Sequence, residues 1–72
     1  SNQEAIRCFQ KALEINPNRL IHHVELGRTY AQAGQVAKAK ASLQRGLAMP
    51  NRDFDDPETK QRGAATLKEL EG

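Results

Sequence analysis

Two runs of helically spaced apolar residues, separated by a single glycine, constrain this chain more than any other feature. In the first run, Leu20, His23, Leu26, Gly27 and Tyr30 recur at spacings of three and four. This spacing places them on one side of a helix over about residues 20–33. Gly34 follows, and glycine can take the left-handed backbone that ends a helix. The pattern predicts a chain reversal at this point.

The second run predicts a helix that packs back against the first. Its residues are Val36, Ala39, Lys40, Leu43, Gly46 and Leu47, and it stops at Pro50, which has no N–H to extend a helix. A glycine inside a helix costs roughly 1 kcal/mol relative to alanine. Gly27 and Gly46 therefore indicate two helix backbones in close approach.

An earlier segment repeats this second run. Residues 5–13 align with residues 39–47 at a spacing of about 34. With both segments in view, the chain resembles the tetratricopeptide repeat family. The full repeat carries the resemblance at His23, Leu26, Gly27, Tyr30, Ala39, Leu43, Gly46 and Pro50, and the half repeat at Ala5, Phe9, Ala12 and Pro17. His23 and Gly46 depart from the family's usual aromatic and alanine.

The expected fold is all-α, with about four helices in antiparallel hairpins of a tetratricopeptide-type α-solenoid. Residues 3–15 would be the second helix of a partial repeat, residues 18–50 a full repeat and residues 56–70 a closing helix. Ser1 and Asn2 are left out because they could be the remnant of a cleaved tag. Asp56 is the predicted N-cap of the closing helix, with Pro57 at its first position. We expect Phe54, in the polar loop before it, to pack back onto the core.

A second and looser similarity is to the C-terminal region of regulator-of-microtubule-dynamics-type proteins. It rests on the order of the elements, a hairpin, an acidic loop and one closing helix, and on no diagnostic motif. It would imply a microtubule or mitochondrial setting. We rank it second because closing helices of this kind are common in helical repeat proteins.

Composition excludes several classes of function. The 72 residues carry a net charge of +2, and their Lys and Arg residues form no cluster with aromatics, so nucleic-acid binding is not expected. No apolar run approaches the roughly 20 residues needed to cross a bilayer. One cysteine cannot form an internal disulfide, which favours a reducing, cytoplasmic setting.

No residue pattern predicts an enzyme, a cofactor or a metal site. His22, His23 and Glu25 lack the one-turn spacing that zinc sites on helices use. The acidic residues 53–58 lack the ligand alternation and central glycine of a calcium loop, so capping is the better interpretation. Cys8 has no catalytic signature around it and is interpreted as a plain surface or interface residue.

The resemblance implies a concave groove that binds an extended peptide or a helix, as part of a longer scaffold protein. The predicted groove residues lie off the packing stripe of the first helix and along the closing helix: Ile21, Val24, Glu25, Arg28, Gln32, Lys60, Ala64, Leu67 and Lys68. Arg28, Lys60 and Lys68 would favour an acidic partner. A solvated face without a ligand is the competing interpretation.

The alternative function is self-association. The half repeat lacks its own preceding helix, so Ile6, Phe9 and Leu13 would be partly uncovered. A second copy could cover them, by end-to-end docking or by exchange of a helix across Gly34. The sequence thus predicts a protein-binding module, with a homo-oligomer as the second possibility.

Overall fold

A computed structural model of the chain describes all 72 residues and contains four helices and no strand. They are α1 (Asn2–Ile15), α2 (Leu20–Gln32), α3 (Val36–Ala48) and α4 (Asp56–Glu71). The predicted all-α class is confirmed. Helix α3 ends two residues before Pro50, at Ala48, and α1 begins earlier than predicted because the Ser1 hydroxyl accepts a hydrogen bond from the Glu4 N–H and caps it.

Helix α2 lies at the centre of the molecule and contacts the other three helices. Helix α2 packs most extensively against α3, and it also contacts α1 and α4, while α4 lies across both α2 and α3. The predicted reversal at Gly34 is confirmed, with a φ of 79°. The Gly34 N–H donates to the Ala31 carbonyl and the Gln35 N–H to the Tyr30 carbonyl. These two bonds satisfy carbonyls that α2 would otherwise leave unpaired at its end.

The predicted close approach of helices at glycines is also confirmed. A Cβ built on Gly27 would lie 2.6 Å from Leu43 Cγ, and one on Gly46 would lie 2.9 Å from Val24 Cγ2. Both distances are shorter than carbon atoms tolerate. Only glycine allows α2 and α3 to sit at this separation.

The core consists of two small clusters joined by α2. One contains Ile6, Leu26, Tyr30 and Ala39, and the other contains Leu20, Val24 and Leu43. Phe9 and Leu13 pack against the first cluster. The expectation that Ile6, Phe9 and Leu13 form an uncovered end is therefore wrong for Ile6, which is buried, because α1 turns this side towards α2.

The loop between α3 and α4 differs from the sequence-based expectation in two ways. Asp56 is not the N-cap but the first helical residue, and its carboxylate points back to accept hydrogen bonds from the backbone N–H groups of Arg52 (2.8 Å) and Asp53 (2.9 Å). Phe54 does not pack onto the core and is fully exposed. The bonds to Asp56 fold the backbone into a tight turn, and that turn holds Phe54 away from the helices.

Candidate functional site

Helix α4 packs against α2 so that the N-terminal ends of the two helices lie near each other, and so do their C-terminal ends. Near their N-terminal ends, Arg19 Nε lies 3.0 Å from Asp53 Oδ2. Halfway along, Val24 packs against Gly63, where an added Cβ would lie 3.1 Å from Val24 Cγ1. Beyond this contact, side chains from the last turns of both helices line a cavity.

This cavity has a volume of about 350 Å³, within the range of small ligand pockets. Its lining combines apolar, polar and charged side chains from the last turns of both helices: Arg28, Ala31, Gln32, Thr66, Glu69 and Leu70. We call this the Arg28–Leu70 cavity. It offers a small apolar floor, one cation and one carboxylate, together with the Gln32 amide that can donate and accept hydrogen bonds.

The charged side chain on the α2 side of the cavity has a weak ion-pair partner on its own helix. Arg28 Nη1 lies 3.5 Å from Glu25 Oε1, one helical turn earlier. Across the cavity, the Thr66 hydroxyl donates to the Arg62 carbonyl at 3.2 Å. An approaching partner would meet a partly ordered polar rim. Such a rim loses less side-chain freedom on binding.

Only two of the predicted groove residues, Arg28 and Gln32, line the cavity. Glu25 takes part indirectly through its ion pair with Arg28. Ile21 is half-buried outside the cavity lining. Val24 cannot line a groove because it is fully buried. It points between two glycines, one on α3 and one on α4, and belongs to the packing stripe of α2.

The predicted residues of α4 lie along the helix but not in the cavity. Leu67 packs against the cluster around Val24, and Ala64 and Lys68 are exposed. Lys60 is half-buried near the first turn, where its charge acts on Asp56. Of the three cations expected to make one side basic, only Arg28 lines the cavity, together with the acidic Glu69.

Sequence analysis missed four of the lining residues, Ala31, Thr66, Glu69 and Leu70. Three of these four could have been grouped from the sequence. Thr66, Glu69 and Leu70 are spaced three and four residues apart, which places them on one face of a helix. The crossing of α2 and α4 was needed to show that this face meets the end of α2.

Two titratable groups near the N-terminal ends of α2 and α4 have shifted pKa values. Hydrogen bonds from the Asp53 and Arg52 N–H groups to the carboxylate lower the pKa of Asp56 from 3.8. Burial lowers the pKa of His23 from 6.5, because it disfavours the charged imidazolium, while the bond from its Nε2 to the Pro17 carbonyl opposes the shift. Both groups lie at the same end of the molecule, away from the Arg28–Leu70 cavity.

No three His, Cys, Asp or Glu side chains are placed together in a way that could hold a metal ion. None of the four helices has the length and apolar character that a membrane span requires.

Comparison with known proteins gives a family. The model of the family described as regulator of microtubule dynamics protein 1-3 matches residues 1–71. The chain belongs to this family. No curated protein and no solved structure matches it.

Membership in the regulator of microtubule dynamics family overturns the tetratricopeptide resemblance. The looser of the two similarities was the correct one. The residues that carried the tetratricopeptide interpretation, such as Gly27, Leu43 and Gly46, report close packing between the helices of a hairpin. Any family that packs helices this closely needs small residues at such positions, so the pattern does not distinguish between families.

Proposed function

We propose that this chain is a non-enzymatic protein-binding module of a regulator of microtubule dynamics, and that it takes a peptide segment of its partner into the Arg28–Leu70 cavity. The observation that carries the proposal is the cavity itself, an open and mixed surface between α2 and α4. The family description names the process, regulation of microtubule dynamics. The partner we test is therefore polymerised tubulin.

The lining residues suggest what part of a partner would bind. Ala31 and Leu70 offer an apolar contact, and the Gln32 amide can pair with an extended backbone. Arg28 can bind a carboxylate from the partner, since its guanidinium has five N–H donors and only a 3.5 Å contact to Glu25. A segment that combines an apolar side chain with an acidic one fits this surface best.

Self-association through Ile6, Phe9 and Leu13 is not part of this proposal. Ile6 is buried against α2, and Phe9 and Leu13 pack beside it. Phe9 and Leu13 are only partly buried, so self-association through them remains a second candidate that the mass measurements below also address.

Co-sedimentation with stabilised microtubules tests the proposal. The unaltered chain is expected to pellet with the polymer, and Arg28→Glu to reduce the bound fraction about tenfold or more, as loss of a central charged contact does. Arg7→Glu is the matched control, since it makes the same charge change on the exposed surface of α1.

Equal losses in Arg28→Glu and Arg7→Glu would show that binding depends on overall charge and not on the cavity. Failure of the unaltered chain to pellet would reject tubulin polymer as the partner.

A further inference from the structure

Phe54 is the one large apolar side chain of the molecule that has no contact to cover it at all. It is 101% exposed, compared with 78% for Ile15 and 43% for Val36. Burying a phenylalanine side chain stabilises a protein relative to leaving it in water. A fold that leaves Phe54 in water forgoes that gain.

The turn that carries Phe54 is built to hold it there. The buried Asp56 carboxylate accepts hydrogen bonds from the N–H groups of Arg52 and Asp53, at 2.8 and 2.9 Å. Asp53 also lies 3.0 Å from Arg19 Nε. Phe54 is thus presented on a backbone fixed on its N-terminal side and followed directly by α4. Aromatic side chains, phenylalanine among them, are enriched at the centre of protein interfaces.

The charges beside Phe54 complement those of the Arg28–Leu70 cavity. Phe54 lies directly between Asp53, which pairs with Arg19, and Asp55. Asp55 and Arg52, two residues before Phe54, are exposed and take part in none of the four ion pairs of the chain. The cavity carries Glu69 and Arg28, one charge of each sign, beside the apolar Leu70. With an aromatic ring over Leu70, opposite charges are available on the two surfaces, Arg52 for Glu69 and Asp55 for Arg28.

The two surfaces cannot meet within one molecule. Phe54 precedes the first turn of α4, whereas Thr66, Glu69 and Leu70 lie in its last two turns. A helix of this length spans about 24 Å. In a two-fold dimer, each copy instead offers its Phe54 to the cavity of the other, and such a contact closes at two copies.

We propose that this chain forms a reciprocal homodimer in which Phe54 of each copy inserts into the Arg28–Leu70 cavity of the other. The inference rests on the proposed function only in using the same cavity, and it names an aromatic side chain flanked by Arg and Asp as a ligand for that cavity. The dimer would compete with a tubulin-derived segment for the same surface.

The solution mass of the full chain tests the dimer without any other protein. Sedimentation equilibrium from about 10 µM to about 1 mM should show a rise from one chain to two. Phe54→Ser should weaken the dimer about tenfold or more. Ile15→Ser, the control for loss of an exposed apolar side chain, should leave the mass curve unchanged.

A charge exchange tests the pairing of the two surfaces. Arg52→Glu and Glu69→Lys each place like charges together and should weaken the dimer, while the double variant restores the opposite signs and should recover it. Both residues are exposed and outside the core, so neither change should unfold the chain.

A single chain at every concentration, or a dimer that Phe54→Ser leaves intact, would overturn the proposal. So would a double variant no stronger than either single one. These outcomes leave co-sedimentation with microtubules unaffected, and Phe54→Ser should bind the polymer at least as well as the unaltered chain.

Discussion

Val24 and Gly63 meet where α2 crosses α4, and a Cβ added to Gly63 would lie 3.1 Å from Val24 Cγ1. The other methyl of Val24 packs against Gly46 on α3, at 2.9 Å from an added Cβ. One fully buried valine thus sets the separation of three helices. The Arg28–Leu70 cavity depends on this crossing, since it lies one to two turns further along the same two helices.

Replacing the glycine at this crossing should destabilise the fold. Gly63→Leu would force α4 away from Val24, and overpacking of this kind costs about 1–3 kcal/mol. Ala65→Leu is the control, because Ala65 is exposed on the same helix. Urea unfolding followed by circular dichroism measures both, and equal stability of the two variants would reject the close approach.

Gly27 and Leu43 should show energetic coupling between α2 and α3. Gly27→Ala alone should be destabilising, because its Cβ would lie 2.6 Å from Leu43 Cγ. Leu43→Ala alone should cost about 2–5 kcal/mol, as expected for a fully buried leucine.

In the Leu43→Ala background the added methyl has room, so Gly27→Ala should cost less there by about 1 kcal/mol. A double-mutant cycle on urea unfolding measures this difference. Strictly additive effects would contradict the contact.

Asp56 should make the stability of the chain depend on pH in the acidic range. Its pKa is lowered from 3.8 in the folded state by the Asp53 and Arg52 N–H bonds, so the unfolded chain binds more protons in this range. The stabilisation is present above about pH 3.8 and is lost as the pH falls through the lower folded-state pKa.

Asp56→Ala should therefore lower the melting temperature at neutral pH and flatten its decline in acid. Asp55→Ala is the matched control, since Asp55 makes no side-chain capping bond. A control variant that melts as early as Asp56→Ala would contradict this role.

His23 should add a second pH dependence at higher pH. Burial lowers its pKa from 6.5, so below about pH 6.5 the unfolded chain takes up a proton that the folded chain resists. Stability should fall as the pH drops through this window. Urea midpoints at about pH 7.5 and pH 5.5 measure the change.

His23→Gln should reduce this pH dependence, while His22→Gln should leave most of it in place. A His23→Gln chain with the full dependence would show that another group is responsible.

The sequence was sufficient to predict the helices but not the site. Gly34 and Pro57 marked the helix ends because their backbone requirements are local, and Gly27 and Gly46 predicted close packing because little else explains glycine inside a helix. Phe54 was misplaced because its exposure depends on two bonds from backbone N–H groups to Asp56, which no apolar pattern encodes.

The cavity was predicted only in part for a similar reason. Arg28 and Gln32 could be found from the packing stripe of α2 alone, whereas Glu69 and Leu70 join them only through the angle and register of α4. That register is set by Val24, Gly46 and Gly63 together. Contacts among three helices cannot be read from the periodicity of any one of them.

Photo-crosslinking shows whether a partner binds in the Arg28–Leu70 cavity. A photoreactive phenylalanine analogue replaces Gln32 in the cavity or, as a control, Lys11 on the exposed surface of α1. We expect irradiation with stabilised microtubules to join tubulin to the chain labelled at position 32 and not to the chain labelled at position 11. Crosslinking at position 11 alone, or equally at both positions, would contradict the account.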